Sequence, residues 1–150
     1  MTRTAAREIA VKLCYANSEN PRDISEWLSE FFDKEYYASL LPEDGVFDVY
    51  PDKKQRAYIE SVVLGVAERK PELDGYIERF STGWKFDRIS KTAAAIMRVT
   101  MYEVLYMPDV PDKAAINEAV ELAKRYESPE TVPFINGILG SFSRSEVTEV

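Results

Sequence analysis

Phe134-Ile135-Asn136-Gly137-Ile138-Leu139-Gly140-Ser141-Phe142 is the stretch on which the fold class turns. An Asn-Gly pair flanked by alternating apolar residues is the strongest short-range signal for a two-residue hairpin, and would place two strands here. The apolar residues do not alternate. Phe134, Ile135, Ile138, Leu139 and Phe142 fall at i, i+1, i+4, i+5 and i+8, one face of a helix. Asn136-Gly137 therefore reads as helix interior, where glycine costs about 1 kcal/mol relative to alanine. Gly137 and Gly140 are not a phosphate loop, because no strand precedes them and no Lys-Ser/Thr follows. Close helix packing is the expected reason for both.

The helical period runs through the rest of the chain. Ile9, Ala10, Leu13 and Cys14 share one face of a first helix, with Thr2 or Thr4 able to cap its start. Ile24, Trp27, Leu28, Phe31 and Phe32 make a strongly amphipathic second helix. Residues 39–52, with Pro42, Gly45 and Pro51 among acids, read as the one long loop. Asp52 and Gln55 have capping-box spacing before a helix that turns Ile59, Val62, Val63 and Val66 inward. Pro71 closes that helix and suits the first position of the next, with Leu73, Tyr76, Ile77 and Phe80 apolar. Ser90 can cap a helix carrying Ile96, Met97, Thr100, Met101, Val104 and Leu105, which stops before Pro108. Asp112 is expected to cap the next, with Ala115, Ile116, Ala119, Val120 and Ala123 inward. The expectation is an all-α bundle of about seven helices. It divides best at the Ser81 to Phe86 break, into halves of about 1–80 and 84–143.

Composition narrows the chemistry. The 150 residues, 45% hydrophobic and 30% charged, suffice for one globular domain with its own core. No apolar run approaches the roughly 18 residues of a membrane span, and no signal-peptide pattern is expected at the start. One cysteine cannot form an internal disulfide, so a cytoplasmic protein is expected. There is no histidine, which removes Ser-His and Cys-His nucleophile pairs and imidazole metal sites. No catalytic residue, metal site or cofactor is expected. Glu118, Glu121, Glu127 and Glu130 read as solvated helix surface, and Cys14 as core.

The net charge of −7 argues against coating nucleic acid by charge alone. The balance is uneven, however. Residues 1–16 and 61–100 each sum to +2, whereas 17–60 sum to −6 and 101–150 to −5. A nucleic-acid contact would have to use a local patch from the first helix and the middle of the chain.

Two longer segments carry a family resemblance. Ala115-Ile116-Asn117-Glu118-Ala119-Val120-Glu121-Leu122-Ala123-Lys124, followed by Phe134-Ile135-Asn136-Gly137-Ile138-Leu139, resembles the paired signature segments of the NusB transcription antitermination family. Ala6-Arg7-Glu8-Ile9-Ala10-Val11 with Tyr15, Gly65-Val66-Ala67, Leu73-Asp74-Gly75 and Met97-Arg98 with Met101-Tyr102-Glu103 also match its pattern. The resemblance implies a fold of two packed three-helix halves that binds boxA RNA of ribosomal RNA leader transcripts. It implies pairing with NusE, a ribosomal small-subunit protein of the RNA polymerase elongation complex, and no catalysis.

Residue by residue, the resemblance places Arg7 of the first helix on RNA, with Phe134 as a stacking ring and Glu130 as an acceptor for a base amino group, and the other bases of that helix, Arg3 and Lys12, are expected to join Arg7. Asn136 lies on the same motif but faces the other way. Tyr15 and the pair Thr92-Ala93 fall at positions implied to face NusE. The chain departs from the pattern in three places. Arg3 and Arg7 are separated where consecutive arginines are usual, Pro133 stands where lysine is common, and Thr92-Ala93 replaces an acidic-basic pair. These departures imply weaker phosphate and partner contacts. They leave open a protein-interaction module with reduced RNA binding, or an accessory domain to an enzyme on a separate polypeptide. The family includes monomers and homodimers, so the oligomeric state stays open.

Overall fold

Five side chains start helices by accepting a hydrogen bond from a backbone N–H three residues on, which satisfies one of the donors orphaned at a helix start. Thr2 takes Ala5 at 3.0 Å, Asp23 takes Glu26 at 3.0 Å, Asp33 takes Tyr36 at 3.0 Å, Asp52 takes Gln55 at 3.1 Å and Ser90 takes Ala93 at 3.0 Å. The computed structural model describes residues 1–83 and 85–146. Among them lie eight α-helices: α1 (Arg3–Glu19), α2 (Ile24–Phe31), α3 (Lys34–Ala38), α4 (Lys53–Glu68), α5 (Lys70–Phe80), α6 (Lys91–Tyr106), α7 (Asp112–Tyr126) and α8 (Thr131–Glu146). Two 3-10 turns, Gly45–Asp48 and Phe86–Arg88, complete the described elements, none of which is a strand. The all-α reading holds, with one helix more than expected. The addition is α3, five residues long and too short to carry a periodic signal. No described helix is long and apolar enough to cross a membrane.

The chain forms two compact units, Met1–Ala67 and Glu68–Val150. In the first, Phe31, Phe32, Tyr37, Phe47 and Tyr50 meet edge to face, with ring centres 5.0 to 6.5 Å apart. Such geometry sets positive ring edges against negative faces. These rings order the long loop. The Tyr37 hydroxyl donates to the Val49 carbonyl at 2.9 Å, the Tyr50 hydroxyl donates to the Phe32 carbonyl at 2.5 Å, and Lys12 pairs with Asp44 at 2.6 Å.

In the second unit α5, α7 and α8 each pack against α6. Residues 93–101 of α6 are buried without interruption, so this helix has no solvent face over more than two turns. Its buried Arg98 donates from Nε to Asp74 at 2.6 Å, and Asp74 also pairs with Lys70 at 3.0 Å. Helix α7 presents Ala115, Ala119, Leu122 and Ala123 to the interior. Ile116 and Val120, expected inward, are only half-buried. The small alanines make the contact side, which brings helix axes closer than a stripe of branched residues would. Asp112 is not a cap. Pro111 holds the cap position, and the Asp112 carboxylate instead accepts from the Ser143 hydroxyl of α8. The Ser81 to Phe86 break lies inside the second unit.

Tyr37 generates a prediction. Burial, followed by the nearby Asp48 carboxylate and Tyr50, pushes its phenol from 10.0 up to about 12. The folded chain thus keeps a proton that the unfolded chain has lost, and stability falls as pH rises through the window between those values. Urea unfolding between pH 9 and 12 is expected to show a shallower alkaline loss for Tyr37→Phe than for the wild type. At neutral pH the variant is expected to lose about 1 kcal/mol with the hydroxyl bond. Parallel alkaline slopes would rule this out.

Candidate nucleic-acid interface

The first unit exposes its cations unevenly. Arg3 and Arg7, one helical turn apart on α1, both lie against the Tyr58 ring of α4, at 4.1 and 5.8 Å from its centre. Arg3 is half-buried, and its Nε donates to Gln55 Oε1 at 2.8 Å. A cation over a ring face is worth about 0.5–2 kcal/mol, more as water is excluded. Arg7 is only 5% exposed, so its guanidinium belongs to the interior of the unit more than to its surface. Lys12 is engaged by Asp44, while Tyr15 is 39% exposed.

Gln55 and Tyr58 were not legible as part of this site. Gln55 reads as the second half of a capping box. Its backbone N–H does bond to Asp52, but its side chain turns to Arg3. The available signal was their i, i+3 spacing on α4, which places an acceptor and a ring on adjacent turns of one face.

The second unit places the motif residues at the start of α8. Glu130 is exposed just before the helix, Phe134 is half-buried, and Asn136 and Gly137 are exposed. Residues 134 and 137 share one helical face, whereas Asn136 points about 160° away from Phe134 on the helical wheel. A Cβ at Gly137 would meet nothing within 4 Å, and one at Gly140 would meet only the Arg144 guanidinium, at 3.3 Å. Close helix packing is thus not the reason for either glycine. At Gly137 the effect is a gap on the surface one turn from the Phe134 ring. Thr92 on α6 is half-buried and Ala93 fully buried, so only the first of that pair has side-chain surface to offer.

The remaining carboxylates and the cysteine have ordinary surroundings. Glu121 pairs with Lys124 at 3.1 Å, Glu127 accepts from the Ser90 hydroxyl at 2.9 Å, and Cys14 is buried. No group of three or more potential metal ligands occurs among the described residues.

A ring-backed arginine in one helical unit and a half-exposed phenylalanine beside a surface gap in the other are features of a helical binding protein. The comparisons narrow that class. The NusB family profile matches residues 4–144. The transcription antitermination protein NusB of Acetivibrio thermocellus is 45% identical over 140 residues, covering 93% of this chain and 87% of that protein. The chain belongs to the NusB family. Its relatives bear the name of a transcription antitermination protein, not of an enzyme.

Solved structures agree on the fold. T. maritima NusB superposes with a TM-score of 0.77 at 26% identity, covering 97% of this chain and 92% of that one. A NusB solved with NusE and double-stranded RNA gives a TM-score of 0.71 at 18% identity, covering 95% and 96%.

Gly137 supplies a test of the surface gap. With open space at its Cβ and no left-handed backbone, Gly137→Ala is expected to raise stability by about 0.5–1 kcal/mol, through the smaller entropy lost on folding. Urea unfolding measures this. A destabilised alanine variant would show that the space is not open.

Proposed function

We propose that this protein is a cytoplasmic transcription antitermination factor that binds boxA-type RNA of ribosomal RNA leader transcripts together with NusE. In this role it joins the RNA polymerase elongation complex and supports processive transcription. The observation that carries the reading is the family match, which runs through both units from residue 4 to residue 144. The solved NusB bound to NusE and double-stranded RNA supports the same assignment of partners.

In this reading Phe134 offers a ring on which a base stacks, reached over the gap at Gly137, and Glu130 accepts from a base amino group. Asn136, exposed on another face of α8, adds a polar contact to the same strand of RNA. Arg3 meets phosphate directly. Arg7, beneath the surface, contributes field and holds the Tyr58 ring, and Lys12 reaches RNA only by exchanging Asp44 for phosphate. Tyr15 and Thr92 meet NusE, with Ala93 shaping the helix beneath. The engagement of Arg7 and Lys12 within the protein favours a second reading, a helical protein-interaction module with weak RNA binding.

Fluorescence anisotropy separates the two. A labelled boxA RNA and a scrambled control are titrated with the protein, with and without NusE, at two salt concentrations. Specific binding that strengthens with NusE and weakens steeply with salt is expected, because phosphate contacts release counterions. Phe134→Ala is expected to lose about 1–3 kcal/mol of RNA affinity, with circular dichroism confirming the fold. Failure of both RNAs to bind a folded protein that still captures NusE would establish the interaction module instead.

A further inference from the structure

The sequence sum of −6 over residues 17–60 conceals a pair of adjacent cations, Lys53 and Lys54, which open α4. Both side chains are exposed, and neither has an ion-pair partner among the described residues. The neighbouring acids are otherwise engaged. Asp52 accepts from the Gln55 N–H, and Glu60 pairs with Arg56 at 3.3 Å. The next two residues of interest on α4 are those that hold Arg3: Gln55, which takes its Nε at 2.8 Å, and Tyr58, whose ring lies under its guanidinium at 4.1 Å. Lys54 and Tyr58 are four residues apart and therefore neighbours on one helical face. The Arg3 guanidinium is thus pinned to the part of α4 that carries Lys54, whereas Lys53, about 100° further round the helix, points away from it.

We infer that Lys54 joins Arg3 in a phosphate-binding patch within the first unit, with Gln55 and Tyr58 as the positioning residues that fix Arg3. The ligand is the sugar-phosphate backbone of RNA. This inference rests on the RNA-binding reading above and adds to it a second helix as a source of cations. It also accounts for how a chain with only two separated arginines on α1 assembles a positive surface. The cations come from two helices and are joined through a glutamine and a tyrosine. Arg3 is pre-organised, since one of its donors and one face of its guanidinium are already fixed, so little of its freedom is left to lose on meeting a phosphate.

The test is the salt dependence of RNA affinity for the full-length protein with NusE, read by anisotropy on the labelled boxA RNA. Lys54→Ala is expected to bind about threefold more weakly at low salt, and to flatten the slope of log affinity against log salt by about 0.7, the value for one phosphate contact to a single strand. Lys54→Arg is expected to keep both affinity and slope. Lys113→Ala removes the same charge from α7 and is expected to leave the slope unchanged. An unchanged slope in Lys54→Ala while the wild type binds RNA would overturn the patch and leave the RNA reading intact. An equal loss in the α7 variant would also overturn it, by showing an effect of total charge. A wild type that binds neither RNA overturns the RNA reading and the patch together.

Discussion

Helix α6 has no solvent face from Ala93 to Met101, and the second unit is built around that constraint. A helix buried on every side needs apolar partners all round and an internal partner for each polar group it carries. Alanines 93, 94 and 95 thin the helix where neighbours crowd it, and Thr100 returns its hydroxyl to the Ile96 carbonyl at 2.8 Å. Arg98 is the costly member, since an unpaired guanidinium there would forfeit several kcal/mol of hydration. Asp74 of α5 answers it at 2.6 Å, with Phe86 beneath the guanidinium at 5.9 Å from the ring centre. The ion pair therefore dictates where α5 lies along α6. The Ser90 cap and its bond to Glu127 then relate the start of α6 to the end of α7, and Phe142 of α8 closes against Tyr76 and Phe80 of α5.

The first unit solves a different problem, that of holding a long acidic loop and a charged helix start against its core. Aromatic rings do most of this. They pack edge to face around Tyr37, and their hydroxyl tips satisfy backbone carbonyls that a purely aliphatic core would leave bare. Tyr58 is the same device used for charge: one ring receives two guanidinium groups, Arg3 closer and Arg7 deeper. The consequence for function is a division of labour between the two arginines. Arg7 stabilises the site from within, and Arg3 keeps the more exposed position.

Helix existence and type were legible because period 3.6 is a strong signal over ten or more residues, and Asn136-Gly137 was correctly placed within α8. Caps made by a side chain acting on its own backbone, such as Thr2, Asp52 and Ser90, were also legible, since they depend only on local spacing. What escaped depends on tertiary context. The rotation of α7 is one such feature, because Ile116 and Val120 outrank alanine in hydrophobicity, whereas close packing selects the smaller residue. Asp112 has the local spacing of a cap, but Ser143, 31 residues away, claims its carboxylate. The motif residues at the start of α8 were found by family pattern, since nothing in their periodicity distinguishes a half-exposed Phe134 from core.

Charge is where sequence averages and structure diverge most. A net charge of −7 suggests repulsion of a polyanion, yet at physiological ionic strength charges further apart than about 8 Å are largely screened from each other. A phosphate therefore senses the few side chains within that radius far more than the whole-chain sum. The acids of the 39–52 loop lower the block average, but several are occupied locally: Asp44 by Lys12 and by the Val46 N–H, Asp52 by the start of α4. Lys53 and Lys54 stand directly after those acids in sequence and so cancel against them in any window wide enough to be summed. Helical geometry separates what the window merges, because successive residues on α4 turn by about 100° and point to different sides. A locally positive face on a globally acidic protein thus needs no excess of basic residues, only a helix that sorts them.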